Sequence, residues 1–274
     1  MSDAKQKAIL ARAKGYPYHA PSHSYLFVNG TAHEIDGFRG DPVLDGEIYV
    51  NDERLPATRF LRRIGVHAPA GLAARTPVIA HGSNAAPEQL ARKFAGLDDD
   101  VIIPVMRGGL SDHDVVYAAH FTAYGSIPAT LEVSPGTTAE IAVIYLTDAQ
   151  LARMHKTEGL GASYVFGRLG GIFLDVDGLD PLTEAHVYLT LHGAAMLADK
   201  PVALSSVNAH HRRFTAQPMA AMLALARDHL APGLGLDAFI LGTIGDETLR
   251  RKHIAALRQG AQRPHFPDFD VVEG

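Results

Sequence analysis

Pro77-Val-Ile-Ala-His-Gly-Ser-Asn-Ala-Ala-Pro-Glu-Gln-Leu-Ala-Arg-Lys-Phe94 is the stretch whose reading decides the fold. Val78-Ile79-Ala80 is an apolar run long enough for a buried strand. Gly82-Ser83-Asn84 breaks it at once, and a helix start follows. Ser83 or Asn84 is the expected cap, Pro87 suits the first turn, and Leu90 and Phe94 share one face. A strand passing through a glycine turn into a helix directs backbone N–H groups outward, because the first helical turn lacks internal partners for them. Such a loop attracts a carboxylate, a phosphate or a developing oxyanion. A tight strand-to-helix turn is the plainer reading of these residues alone. What favours a functional one lies 74 residues further on, at Glu158.

Composition sets the frame around that stretch. With 274 residues, 47% of them hydrophobic and 20% charged, the chain suits one large globular domain or a core with extensions. A net charge of −5 offers no electrostatic footprint for nucleic acid. The absence of cysteine excludes disulfides, thiolate chemistry and cysteine zinc sites. No apolar run reaches the roughly 18 residues of a membrane span. Met1-Ser-Asp-Ala-Lys-Gln-Lys7 lacks an apolar signal core, so the expectation is a cytoplasmic protein with no membrane partner.

Upstream of the deciding stretch, Ala4 to Lys14 reads as a helix ended by Gly15. Tyr25 to Gly30 and Gly46 to Asn51 read as strands closed by Asn29-Gly30 and Asn51-Asp52 turns, with pairing between them as one option. Downstream, Val101 to Met106 is a strand that Pro104 confines to an edge or bulge. Asp114 to Phe121 and Thr130 to Val133 are further strands, and Ser134-Pro-Gly136 is a turn before the central strand Thr138 to Leu146. Thr147, with Gln150 three residues on, forms a capping box for a helix that ends at Glu158-Gly159. Strands at Tyr164 to Leu169, Ile172 to Val176 and Ala185 to Leu191 follow. The pattern then turns helical at Pro218 to Leu230 and Asp246 to Gln259, and Pro264 to Asp270 is expected to pack loosely. The division expected is an extension over 1–75, a core over 76–195 and a helical extension over 196–274.

Four segments in this order carry a family resemblance. They are His81-Gly-Ser-Asn84, Gly125-Ser-Ile-Pro-Ala-Thr-Leu131, Ala139-Glu-Ile-Ala-Val-Ile-Tyr-Leu-Thr147, and Leu151-Ala-Arg-Met-His-Lys-Thr-Glu-Gly159 followed by Tyr164. Together they resemble the γ-glutamylcyclotransferase-like family over roughly residues 76–192. The chain departs from the family pattern at His81, where a tyrosine is usual, and at Ala85, where a larger apolar residue is usual. Those changes bear on the substrate more than on the fold. The resemblance implies an α+β fold built on a small mixed or antiparallel barrel-like sheet with few helices.

It also implies a chemistry. Members of the family cyclise a γ-glutamyl group, whose own α-amine attacks the γ-carbonyl to give 5-oxoproline and a free amine. Both reacting groups belong to one molecule, so fixing a reactive conformer supplies much of the rate. One carboxylate can take and return the proton if an apolar setting draws its pKa toward neutrality. Glu158 is the candidate for that carboxylate, and it sits at the helix end where the dipole gives a carboxylate nothing. The N–H groups of Gly82, Ser83 and Asn84 are the candidate oxyanion donors. His81 and Tyr164 are candidate substrate contacts, each with a core-packing alternative, and Tyr124, Ile127 and Pro128 form either a pocket wall or a surface loop. No metal or other cofactor is required. The partner expected is a small molecule carrying a γ-glutamyl-like group, with a homodimer as an option.

Rival readings stay open at this point. Ser83 follows a strand and precedes a helix, as a hydrolase nucleophile does, but His-Gly-Ser-Asn-Ala lacks the Gly-x-Ser-x-Gly flanks. The 15 histidines include no helical His-x-x-x-His with a third ligand. His210-His211-Arg212-Arg213 would repel a cation, and reads as an anion-docking cluster or a solvated surface. A non-catalytic small-molecule binding module on the same fold is the third class.

Overall fold

The computed structural model describes residues 2–51, 53–66, 69–96, 100–197 and 199–273. Asp52 of the expected Asn51-Asp52 turn lies outside them. Two compact units interleave along the chain. One comprises Tyr18–Ser111, Ala139–Leu189 and Phe266–Gly274; the other comprises Met1–Pro17, Asp112–Thr138 and Thr190–His265. The interleaving arises because two strands, Ile102–Tyr117 and Ala129–Leu146, each begin in one unit's residues and end in the other's.

The first unit is a mixed, mostly antiparallel sheet. Its order is Phe269–Glu273, Tyr164–Leu169, Ala185–Thr190, Thr76–Ala80, Ala129–Leu146, Ile102–Tyr117, Tyr25–Val28, Thr31–Asp36, Glu47–Val50 and Glu53–Pro56. Thr76–Ala80 runs parallel to Ala185–Thr190 and antiparallel to Ala129–Leu146. The two end strands do not meet among the described residues, so the sheet is open and the barrel-like expectation is corrected. The α+β class holds, with seven helices among the described residues. Tyr25–Val28 shows how the sheet makes two cores. Tyr25 and Phe27 pack with Val78, Leu90, Phe94, Ile144 and Met154, whereas Leu26 and Val28 pack with Ile35, Ile48, Leu55 and Leu61. That alternation is the period-two pattern of a strand covered on both faces.

Several local expectations are corrected here. Strands 25–28 and 47–50 are not paired with each other, because Thr31–Asp36 lies between them. Pro104 lies in an inner strand, between Tyr25–Val28 and Ala129–Leu146, since a long strand tolerates the loss of one N–H. The supposed turn at Ser134-Pro-Gly136 is a kink inside one continuous strand, with Pro135 and Gly136 exposed and Gly136 at φ +82°. The tail is not loose: Phe269–Glu273 pairs antiparallel with Tyr164–Leu169.

The second unit holds the helices Asp3–Lys14, Met219–Leu230, Leu236–Gly245 and Glu247–Gln259. Lys14 pairs with Asp237, Ser126 Oγ donates to the Ala13 carbonyl at 2.8 Å, and Phe121, Phe239 and His253 stack edge and face. Ile127 and Pro128 are buried in this unit, and Tyr124 lies under the Arg12 guanidinium. Arg212 does not face solvent as expected, because its guanidinium clamps the fully buried Asp114 through both carboxylate oxygens. No helix of the described residues is long and apolar enough to cross a membrane.

Candidate functional site

Two helices of the sheet unit bring the candidate site together. The first, Pro87–Phe94, starts at Pro87 as expected, but neither Ser83 nor Asn84 caps it. Proline disfavours a helical residue before it, so Ala86 is extended (φ −92°, ψ 125°) and the helix cannot reach back. Ser83–Ala85 instead forms a separate 3-10 turn, held by the Ala86 N–H on the Ser83 carbonyl at 3.0 Å. Tyr25 Oη donates to the Ala85 carbonyl at 2.8 Å and ties that turn to the sheet.

The second helix, Asp148–Glu158, is built as its sequence dictates. Thr147 accepts from the Gln150 N–H, and the Gln150 side chain returns the bond to the Thr147 N–H. Arg75 adds hydrogen bonds to Gln150, Ile102 and Tyr145, which fixes the helix start against two strands. Gly159 closes the far end in the left-handed conformation (φ 64°), so Glu158 is presented at the last helical position. Arg153 reaches across and donates to the Lys93 carbonyl at 2.7 Å, joining the two helices.

At the ends of these helices the separation of 74 residues closes. Asn84 Nδ2 donates to Glu158 Oε1 at 2.8 Å. Lys93 Nζ contacts the same oxygen and also lies 3.3 Å from Met154 Sδ. The side chains of Lys93 and Glu158 are only 7% and 13% exposed, so this is a largely buried ion pair. An apolar setting is therefore not what surrounds the carboxylate; an ammonium and an amide do.

His81 lies at the end of Thr76–Ala80 and is 9% exposed. Its Nε2 is 3.1 Å from the Tyr188 carbonyl, which can only accept, so Nε2 carries the proton. Nδ1 is then a lone-pair acceptor, buried and without a partner among the described residues. Burial lowers the His81 pKa, against weaker upward pulls from the Tyr188 carbonyl and the charge of Glu158. The ring is thus neutral and electrostatically in touch with Glu158. Tyr188 Oη shares a hydrogen bond of 2.9 Å with His155 Nδ1, one turn before Glu158. Gly82 and Ser83 are half-buried in the loop between His81 and Asn84. Tyr164 opens its strand with its ring half-buried against the apolar cluster.

Lys93 is the residue that the sequence reading passed over. Its signal was the helical period itself: three residues after Leu90 and one before Phe94, it lies on the buried face, where a lysine needs an anion. Among the described residues no group of three or more His, Asp or Glu could hold a metal ion.

No family model matches the chain, and no curated protein matches it. A solved structure described as "Gamma-glutamyl cyclotransferase" is similar to it with a TM-score of 0.34 and 16% identity. The match covers 42% of this chain and 66% of that one, so the chain spans just under two thirds of that protein's length. It is a distant structural resemblance, and no residue role rests on it.

Proposed function

We propose that the chain cyclises a γ-glutamyl-like amide, with Glu158 moving the protons and the loop 82–84 receiving the oxyanion. The observation that supports this reading is the Asn84–Glu158 hydrogen bond, which puts a candidate base beside a polar loop after a strand. The substrate's α-ammonium gives a proton to Glu158, and the free amine attacks the γ-carbonyl carbon. The tetrahedral intermediate breaks its bond to the leaving nitrogen as Glu158 returns the proton there. The new ring nitrogen sheds its second proton through the same carboxylate, and the amine departs as an ammonium ion. Charge and protons balance without a further reactant. The oxyanion donors in this reading are the N–H groups at Gly82, Ser83 and Asn84, with the Asn84 amide committed to Glu158.

Glu158→Gln deletes the proton acceptor, and turnover to 5-oxoproline is expected to fall by about 10²–10⁴-fold. The same change leaves Lys93 buried without an anion, which can cost about 3–5 kcal/mol. The double variant Glu158→Gln/Lys93→Met removes both charges and keeps the comparison usable should the single variant unfold. Ser83→Ala is expected to cost less than Glu158→Gln. A folded variant lacking the Glu158 carboxylate that still forms 5-oxoproline at the normal rate excludes this mechanism. Labelling of Ser83 by a fluorophosphonate would point instead to serine hydrolysis. Tight binding of γ-glutamyl amides without turnover would indicate a binding module.

A further inference from the structure

The two oxygens of Glu158 are not equivalent. Oε1 takes both the Asn84 amide and the Lys93 ammonium, and Oε2 takes no hydrogen bond from any described residue. Lys93 itself is 6% exposed, and its Nζ contacts Met154 Sδ and Glu158 Oε1 among the described residues. A buried pair of this kind is often no more stabilising than apolar side chains of the same volume, so its burial alone does not establish a stabilising role.

We propose that Lys93 is a positioning residue of this site: its ammonium holds Oε1, so that Oε2 carries the proton traffic, and its fixed charge drives the substrate's α-nitrogen toward the free amine. The inference rests on the cyclotransferase reading above. A substrate ammonium entering beside Glu158 meets a carboxylate that already has a cation. A second positive charge close by disfavours the protonated form of that amine, and the nucleophile in the cyclisation is the unprotonated one. The proton passes from the α-ammonium to Oε2, and from Oε2 to the leaving nitrogen. Lys93 keeps its own protons throughout and acts through Glu158, whose Oε1 its Nζ contacts with the Met154 thioether behind it.

The absence of cysteine makes a clean test available, since Lys93→Cys introduces a single thiol. Alkylated in denaturant with 2-bromoethylamine and refolded, the side chain regains an ammonium at the length of lysine. Alkylated with 1-bromopropane, it regains the length without the charge. The uncharged form is expected to lose about 10²-fold in kcat, the scale of a misplaced catalytic group, with KM changing less than about threefold. The aminoethyl form is expected to recover to within about tenfold of the unmodified protein. Where refolding fails, Lys93→Ala assayed with and without propylammonium makes the same comparison, with tetramethylammonium as the control.

Equal kcat in the charged and uncharged forms overturns the proposal. A second measurement keeps it separate from the cyclotransferase reading. The ¹³C chemical shift of the Glu158 carboxyl is expected to differ between the charged and uncharged forms, because the ammonium contacts Oε1 directly. His81, a titratable group at the end of its strand that feels the charge of Glu158, is present in both forms. If the native chain releases no 5-oxoproline, the cyclotransferase reading falls and the carboxyl shift decides the role of Lys93 alone; identical shifts overturn it.

Discussion

Glu132 is the carboxylate most at odds with its surroundings. It is 6% exposed; among the described residues Oε1 accepts the Val133 N–H at 3.3 Å, and Oε2 is buried with no partner. Burial raises its pKa from 4.5 to about 7. The folded value lies above the unfolded one, so the native chain holds this proton more tightly than the unfolded chain does. Stability is therefore lost as pH rises from about 4.5 to about 7, and above that the full penalty of a buried charge persists. Glu132→Gln should raise Tm above about pH 7, with the gain shrinking as pH falls toward about 4.5. A gain that does not vary with pH would mean that Glu132 does not titrate as its burial requires. The candidate site was legible at this scale only where chemistry and sequence position agreed. A glutamate at the unfavourable end of a helix and a polar loop after a strand could both be picked out, and Asn84 and Glu158 do meet. Lys93 could not be picked out by type, because a lysine is ordinarily a surface residue; its mark was its place beside Leu90 and Phe94 in the helical period, and its ion pair with Glu158 gives that place its meaning.

At the scale of elements, what was legible was what is determined locally. The helix Asp148–Glu158 carries its start in Thr147 and Gln150 and its stop in Gly159, all within a turn of its ends. The long strands carry no such markers, and glycine and proline inside them read as breaks. Gly108 is the instructive case. It sits within Ile102–Tyr117 opposite Val176, and a Cβ there would lie 2.4 Å from the Asp175 carbonyl oxygen. Its role is close approach of a second backbone, which depends on residues far along the chain. A backbone carbonyl cannot swing aside, so Gly108→Ala should cost about 1–3 kcal/mol, the range for overpacking. Urea unfolding would register this as a lower midpoint at unchanged slope; an unchanged midpoint would show that the strand Leu174–Val176 yields freely. The strand Phe269–Glu273 escaped notice for the same reason, as its partner Tyr164–Leu169 is remote in sequence.

At the scale of the whole molecule, the α+β class was what the family resemblance implied, while the openness of the sheet depends on pairings that no local pattern encodes. The first 75 residues owe their importance to such pairings. Tyr25–Val28 pairs with Ile102–Val105, contributes Tyr25 and Phe27 to the core beside Leu90 and Phe94, and holds the Ser83–Ala85 turn through Tyr25 Oη. Deleting residues 1–75 would turn an inner strand into a sheet edge with unpaired N–H and C=O groups, a template for association. Each large side chain lost from a packed core typically costs about 3–5 kcal/mol, and two such losses approach the whole stability of an ordinary domain. The truncated chain is therefore expected to aggregate or to lose its cooperative thermal transition, measured by light scattering and calorimetry. A soluble truncated chain that melts cooperatively at the same temperature would show that the strands over 25–56 are an appendage on which the core does not depend.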